Sequence, residues 1–125
     1  MTNRIQCVRC HQFLPPSVAP VHVAGCQRYC GWTNYETWNV ALWLTNSAPS
    51  DRYWRNMAKI CRHSANEKDG PDHSAVALLA AQLQSEHEDD AENALLNPPS
   101  VFSDLLRTAL CEVDWREIAE SLLDG

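Results

Sequence analysis

The sequence predicts a mainly α protein, a small bundle of about five helices with an N-terminal zinc-knuckle arm. Three observations predict this class. Four Cys lie within the first 30 residues, helix-capping residues recur through the rest of the chain, and apolar residues there repeat at helical spacing. We expect residues 1–31 to form a zinc-binding arm with four Cys ligands and residues 32–125 to form an acidic helical bundle.

Length and composition set the broad class of the protein. A chain of 125 residues that is 45% hydrophobic and 21% charged is typical of one globular domain with an appendage, and not of a disordered chain. No apolar run approaches the ~20 residues that span a bilayer, and the N-terminus lacks the apolar core of a signal peptide. We therefore expect a cytoplasmic protein with no membrane contact.

The charge is distributed unevenly along the chain. The net charge is −6, yet residues 1–35 contain Arg4, Arg9 and Arg28 and no acidic residue, so all 16 Asp and Glu lie in residues 36–125. An acidic body repels the phosphate backbone and suits a partner with a basic surface. Direct nucleic-acid binding by the body is therefore not expected.

The arm carries a metal-ligand pattern of the form C-x2-C, fifteen residues, C-x3-C. Its members are Cys7, Cys10, Cys26 and Cys30. Two close thiol pairs at this separation are typical of two knuckles that share one tetrahedral Zn²⁺. Because four thiolates leave no open position for an activated water, the ion is predicted to be structural. Zinc would also supply the folding free energy of a Pro-rich segment that has no core of its own.

Other interpretations of the arm remain open. His11 or His22 could replace one thiolate. Separately, the C-x3-C spacing of the second ligand pair is one residue longer than the commonest knuckle. A disulfide pair would require an oxidising compartment. Cys7-Val-Arg-Cys10-His11 also matches the C-x-x-C-H pattern of c-type haem attachment, which requires export.

The first two predicted helices follow the arm. Thr33 and Glu36 match a capping box, which predicts a helix from Asn34 to about Asn46. Its predicted inward residues are Tyr35, Trp38 and Leu42. Ser50 is expected to cap a second helix from Asp51 to about His63, with its inward residues drawn from Tyr53 or Trp54, Met57, Ile60 and Cys61.

Three more helices are predicted in the remaining sequence. The third runs from about Asp72 to Ala91, and its inward residues are Val76, Leu79, Ala80 and Leu83. Ser100 caps a fourth, with an apolar stripe of Phe102, Leu105, Leu106, Ala109, Leu110 and Val113. Asp114 and Glu117 match a second capping box before a short last helix, whose inward residues are Ile118, Ala119, Leu122 and Leu123. The only strand-like sequence is Val18–Val23.

Two of these segments resemble a family of small uncharacterised proteins carried by bacteriophages and plasmids. The family shares a W-T-N-Y-E-T-W-x-V-x-L-W segment, matched at Trp32–Trp43, and a D-L-L-x3-L-x-E-V-D-W-x-E-I-A ending, matched at Asp104–Ala119. The resemblance extends over Gly31–Asn46 and Phe102–Leu123, about 38 of the 125 residues. It implies a mobile-element setting, in which small acidic proteins often inhibit host defence, anti-CRISPR proteins among them.

The sequence contains no nucleophile motif and no Gly-rich phosphate loop. The expected cap explains Glu36 without catalysis, and His87–Asp90 is expected to be a solvated helix face. Cys61 and Cys111 fall on apolar helix faces.

The five Trp residues are expected to differ in burial. Trp38 and Trp115 are expected in the core, and Trp32 at the junction between arm and bundle. Trp43 and Trp54 are expected to be partly exposed and available to a partner.

These observations lead to two functional hypotheses. The first is a non-enzymatic protein that inhibits a host defence complex, such as a CRISPR effector, by docking on its basic nucleic-acid-binding groove. The docking residues would be Glu86, Glu88, Asp89, Asp90, Glu92, Trp43 and Trp54. The second is a small zinc-dependent nucleic-acid-binding or transcriptional regulatory protein, in which Arg4, Arg9, Arg28 and Tyr29 touch the nucleic acid.

Overall fold

A computed structural model describes residues 4–7, 12–21, 28–96 and 99–124 of the chain. The described residues are mainly helical, which confirms the predicted all-α bundle. The α-helices of ten or more residues in these ranges are α1 (Tyr35–Thr45), α2 (Ala48–Ser64), α3 (Ala75–Ala91), α4 (Val101–Cys111) and α5 (Trp115–Asp124). Two 3-10 turns, Glu67–Asp69 and Pro71–His73, precede α3, and a π-helical turn, Glu92–Leu96, continues it.

A short β-hairpin lies near the N-terminus. Strand β1 (Ile5–Gln6) pairs antiparallel with β2 (Phe13–Leu14), and Ile5 is opposite Leu14. The strand-like sequence predicted from Val18 onwards was wrong where the structure describes it, because residues 16–21 form turns and a helical stretch. Two-residue strands are too short to show the alternating pattern that identifies a strand in sequence.

Helix α1 begins one residue later than predicted, and its cap is different. Asn34 has an extended backbone, and its Oδ1 accepts from the Thr37 N–H at 2.9 Å. The predicted Thr33–Glu36 capping box is wrong, because the Thr33 N–H donates to Glu117 Oε1 at 2.8 Å instead. A carboxylate from the last helix has taken the place that Glu36 was expected to fill.

Helices α2 and α3 also begin at residues other than those predicted. Ser47 caps α2 and accepts from the Ser50 N–H at 3.3 Å, so Pro49 falls in the first turn, where its missing N–H costs little. Ser74 caps α3 and accepts from the Ala77 N–H at 3.1 Å. The predicted start at Asp72 was wrong because that residue belongs to the preceding 3-10 turn.

The predicted caps of α4 and α5 are closer to the structure. Ser100 caps α4 as predicted, in a reciprocal pair with Ser103. Asp114 Oδ1 accepts from the Glu117 N–H at 3.1 Å, which is one half of the predicted box. The other half is absent, since the Asp114 N–H donates to Thr37 Oγ1 at 2.8 Å and the Glu117 carboxylate binds Thr33.

The core forms where α2, α3 and α5 meet. Leu79 and Leu83 of α3 and Ala119 of α5 are completely buried, and Trp115 is 7% exposed. The predicted inward residues of α3 and α5 are therefore confirmed. The prediction that Trp54 is partly exposed was wrong, since it is 6% exposed and belongs to this core.

The predicted stripe of α1 is rotated in the structure. Tyr35 and Leu42 are exposed, whereas Thr37 and Leu44 are buried. Trp38 is only half-buried, so its predicted core position is wrong as well. The reason is that Thr37 is bonded into the bundle, and this hydroxyl decides which side of α1 faces inward.

Helix α4 covers the core less than predicted. Phe102 is 70% exposed and Leu105 is 64% exposed, while Leu106 and Leu110 are half-buried. The outer half of the predicted stripe was therefore wrong, because no described element packs over that side of α4. In α2, the predicted inward residue Ile60 is likewise exposed.

The first prediction concerns the buried hydroxyl of Thr37. Its Oγ1 donates to Asn34 Oδ1 at 2.6 Å and accepts the Asp114 N–H, and the residue is fully buried. The substitution Thr37→Val keeps the shape of the side chain and leaves the Asp114 N–H unpaired. Urea unfolding should therefore show a free energy of unfolding that is lower by about 1–3 kcal/mol. Thr45→Val is the matched control on an exposed site of the same helix, and equal losses in both variants would contradict the assignment.

Candidate interaction surfaces

The end of the arm and the start of α1 are tied to α5 by polar contacts. Arg28 forms an ion pair with Glu117 at 3.1 Å, and Asn34 Nδ2 donates to the carbonyl of Glu112 at 2.6 Å. Thr33 Oγ1 also donates to Asp114 Oδ2 at 3.4 Å. These contacts join the two segments that carry the sequence resemblance, although about 80 residues separate them in the chain.

A tight turn connects the arm to this junction. Tyr29 and Trp32 exchange both backbone hydrogen bonds at 2.8 Å, with Cys30 and Gly31 between them. Cys30 has a φ of 47° and Gly31 a φ of 86°, both in the left-handed region. Gly accepts this conformation without strain, but it is uncommon for a Cys, so the turn holds Cys30 at a conformational cost.

Cys7 lies at the end of β1. It is completely buried beside Leu14 and Ala19, and its N–H donates to the carbonyl of Gln12 at 2.8 Å. Cys10 and Cys26, with the alternative ligands His11 and His22, lie outside the described residues. Within the part of the chain that the structure describes, no three potential metal ligands come together, so the four-Cys zinc site stays a prediction.

An aromatic cluster flanks the turn. Tyr29, Tyr35 and Trp38 have ring centroids 4.9–5.6 Å apart. Tyr29 and Arg28, two of the residues expected to touch nucleic acid, therefore make contacts within the protein. Of the other two, Arg4 is exposed and Arg9 lies outside the described residues.

The predicted acidic residues surround the C-terminal end of α3. We call Glu86, Glu88, Asp89, Asp90 and Glu92 the acidic cap. Glu86 is half-buried, and its two carboxylate oxygens accept from Tyr53 Oη at 2.7 Å and from Gln82 Nε2 at 2.6 Å. The other four are exposed. Glu88 and Glu92 line a cavity of about 380 Å³ with Arg107, Leu110 and Cys111.

The position of the acidic cap is unfavourable for the helix itself. Like charges three and four residues apart on a helix repel one another and destabilise it, and the pairs 86/89, 86/90, 88/92 and 89/92 have this spacing. The last turn of α3 contains no basic residue. The helix therefore keeps these carboxylates exposed at a cost in stability.

His87 interrupts the expected solvated face. Its ring lies between Trp54 and Trp115, with centroid distances of 5.6 and 5.3 Å, and its Nδ1 lies 2.7 Å from the carbonyl oxygen of Leu83. The solvated interpretation of His87 was wrong because the helix turns this residue towards the core. Trp43, by contrast, is 65% exposed, as expected.

Two side chains have shifted acidities with clear causes. The hydrogen bond to the Glu86 carboxylate raises the pKa of Tyr53 above its usual 10.0, aided by desolvation and by the charges of Glu86 and Asp90. Burial raises the pKa of the Cys61 thiol. Cys61 behaves as the expected core residue, whereas Cys111 is exposed, so its expected apolar position was wrong.

The fold and these surfaces define a small helical-bundle protein with a short N-terminal hairpin and an acidic helix end. No helix in the described residues is long and apolar enough to cross a membrane. Residues 26–120 match the family of unknown function DUF7249, and the chain belongs to that family. No curated protein and no solved structure matches the chain. The matched residues include all the polar contacts described above between residues 28–34 and residues 112–117. They leave out Cys7 and Cys10.

The second prediction concerns the hydrogen bond between Tyr53 and Glu86. Because the folded protein raises the pKa of Tyr53, the associated stabilisation is complete below pH ~10, the unfolded value, and is lost as the pH rises through the folded pKa. Glu86→Gln should move that pKa back towards 10.0 in a tyrosinate absorbance titration. The Tyr53 signal is identified by comparison with Tyr53→Phe.

Glu88→Gln is the control for this titration. It removes a neighbouring carboxylate that does not contact Tyr53, so the tyrosine should titrate as in the wild type. An unchanged Tyr53 titration in Glu86→Gln would contradict the assigned cause.

Proposed function

We propose that the protein is a non-enzymatic binding protein of a mobile element that inhibits a host defence complex, in the manner of an anti-CRISPR protein. The acidic cap would dock on a basic, nucleic-acid-binding groove of that complex. The observation that carries the proposal is the cap itself, four exposed carboxylates and one half-buried at a helix end with no basic residue in its last turn. The mobile-element setting is supported by the sequence resemblance.

The energetics of the acidic cap support a binding role. Carboxylates three and four residues apart on a helix repel one another and destabilise it, and local rules of stability are most often broken at functional sites. The π-helical turn that follows α3 is a second departure from regular geometry, and such turns are frequent at functional sites. Both departures fall at the same end of α3.

The partner is inferred from electrostatic complementarity. Exposed like charges steer a protein towards a surface of opposite charge and suppress encounters with other partners. A groove rich in Lys and Arg, which normally holds nucleic acid, offers such a surface. Trp43 would add an exposed aromatic anchor, and Trp54 no longer has this role because it is buried.

The third prediction tests the acidic cap by reversing its charge. Asp89→Lys with Asp90→Lys should remove the basic partner recovered when tagged protein is purified from its host cell and its companions are identified by mass spectrometry. The double variant should fold at least as well as the wild type, because the two Lys replace repulsion by attraction towards Glu86 and Glu92, which stabilises a helix by about 0.2–0.5 kcal/mol per pair. Loss of the partner would then not be a consequence of unfolding.

The matched control makes the same charge change elsewhere. Asp69→Lys with Asp72→Lys alters two exposed carboxylates in the 3-10 turns before α3 and should leave the partner bound. Recovery of the same partner by both double variants would contradict docking through the acidic cap. Recovery of nucleic acid, with an affinity that falls steeply with salt, would favour the alternative function.

We further propose that one structural Zn²⁺ holds the arm through Cys7, Cys10, Cys26 and Cys30. Three features of the described residues support it. Cys7, which directly follows the first strand of the hairpin, is buried. Cys30 lies in the left-handed turn in a strained conformation, and a metal–thiolate bond would offset the free energy of that strain. Among the described residues of the arm, the apolar cluster consists of Cys7, Leu14 and Ala19, and a core this small is the kind that a bound metal commonly supplements.

The fourth prediction concerns the metal content of the pure protein. Elemental analysis should give one zinc per chain, and Cys7→Ser or Cys30→Ser should lose it. Cys61→Ser and Cys111→Ser are the controls, because these thiols lie in the bundle, and both should keep the ion. A zinc content far from one per chain in the wild type would contradict the four-thiolate site.

A further inference from the structure

Basic residues concentrate on one side of α2. Four of the seven Lys and Arg in residues 36–125 lie at spacings of three and four along this helix: Arg52, Arg55, Lys59 and Arg62. This spacing places them on one stripe, since a helix has 3.6 residues per turn. Tyr53, which contacts the acidic cap, is two residues from Arg55 and so lies about 200° around the helix from it. The stripe and the cap are therefore separate surfaces.

Three of these cations line a cavity of about 210 Å³. The lining residues are Arg55, Ala58, Lys59, Arg62 and Leu122. Arg55 forms an ion pair with Asp51 at 3.0 Å, and Arg62 donates to the backbone carbonyl of Leu123. Lys59 has no ion-pair or hydrogen-bond partner in the described part of the chain. Lys59 is thus the cation of this cavity whose charge no described carboxylate compensates, on a protein whose net charge is −6.

An apolar groove adjoins this cavity. It has a volume of about 270 Å³ and is lined by Trp32, Trp38, Ala41, Leu42, Leu44, Thr45, Ile118, Ser121 and Leu122. Leu122 lines both the groove and the basic cavity, so this one buried side chain is a wall of each. The groove runs between α1 and α5, and its two aromatic side chains come from the junction with the arm.

The groove offers little to a polar ligand. Thr45 and Ser121 carry its only side-chain polar groups apart from the indole N–H groups, and Thr45 Oγ1 is directed back to the carbonyl oxygens of Ala41 and Leu42 at 3.3 and 3.4 Å. A nucleobase or a peptide backbone brings donors and acceptors for which these walls offer few partners. An acyl chain has no such groups.

We propose that the groove and the cavity form one binding site for a single-chain amphipathic anion, a carboxylate or a phosphate attached to an apolar chain. The chain would lie in the groove against Trp38 and Leu42, and the head group would meet Lys59 in the cavity, beside the Arg55–Asp51 ion pair. Charge complementarity selects an anionic head, and the apolar walls select the chain. The site does not depend on the acidic cap, so either proposal can fail without the other.

Calorimetric titration with decanoate, decyl phosphate and decanol tests the proposal below the critical micelle concentrations of the amphiphiles. Both anions should bind saturably, and decanol should bind at least ~10-fold more weakly, a difference of about 1.4 kcal/mol. A preference between decanoate and decyl phosphate identifies the head group. Lys59→Glu should weaken both anions at least ~10-fold, and Leu42→Asn should weaken all three ligands.

Matched variants separate the site from general effects. Arg52→Glu makes the same charge change on the same helix outside the cavity, and Leu105→Asn makes the same polar change on exposed α4, so both should bind as the wild type does. Circular dichroism checks that every variant is folded.

Several results would overturn the site. These are binding only above the critical micelle concentration, equal binding of decanol, or equal losses in Lys59→Glu and Arg52→Glu. A thymidine oligonucleotide that displaces decanoate with a steep salt dependence would assign the surface to nucleic acid instead.

Discussion

The hydrogen bonds between the start of α1 and the start of α5 are the constraint on which the rest of the structure depends. The buried Thr37 hydroxyl accepts the Asp114 N–H, and the Glu117 carboxylate accepts the Thr33 N–H. Each contact satisfies a backbone donor at a helix entrance that would otherwise lie unpaired in a partly buried place. Because both helix starts are fixed together, α1 and α5 run side by side in the same direction, and Leu44 and Leu122 line the same groove.

These hydrogen bonds between the two helix starts also decide which side chains of α1 are exposed to solvent. With Thr37 turned inward, Ala41 and Leu44 follow it into the core, while Tyr35 and Trp38 turn outward and meet Tyr29 at the end of the arm. The groove between α1 and α5 is a consequence of the same rotation. The acidic cap is independent of it and follows from the length of α3, which carries its carboxylates to the helix end. The molecule thus separates an acidic surface from a basic and apolar one.

The sequence was sufficient to predict the helices and the inward faces of α3 and α5. These two helices carry apolar residues at regular helical spacing, and few polar contacts from other elements alter which side faces inward. The sequence failed where a distant group intervened. Nothing local to Thr33 indicates that Glu117 would bind it, and nothing near Trp54 indicates that His87 would cover it. The prediction that the apolar stripe of α4 is buried was wrong for the opposite reason. Apolar residues at helical spacing form a buried face only if another element covers them. The acidic cap was visible from composition, whereas the basic stripe was missed despite its regular spacing along α2.

Amide hydrogen exchange at Asp114 tests the central claim most directly. This N–H lies outside regular helix hydrogen bonding, and its only acceptor in the described residues is the Thr37 hydroxyl, 2.8 Å away. If the paired helix starts hold the bundle together, the Asp114 amide should exchange as slowly as the core amide of Ile118 and open only with global unfolding. Exchange at the rate of an unstructured peptide, with Ile118 still protected, would contradict the account.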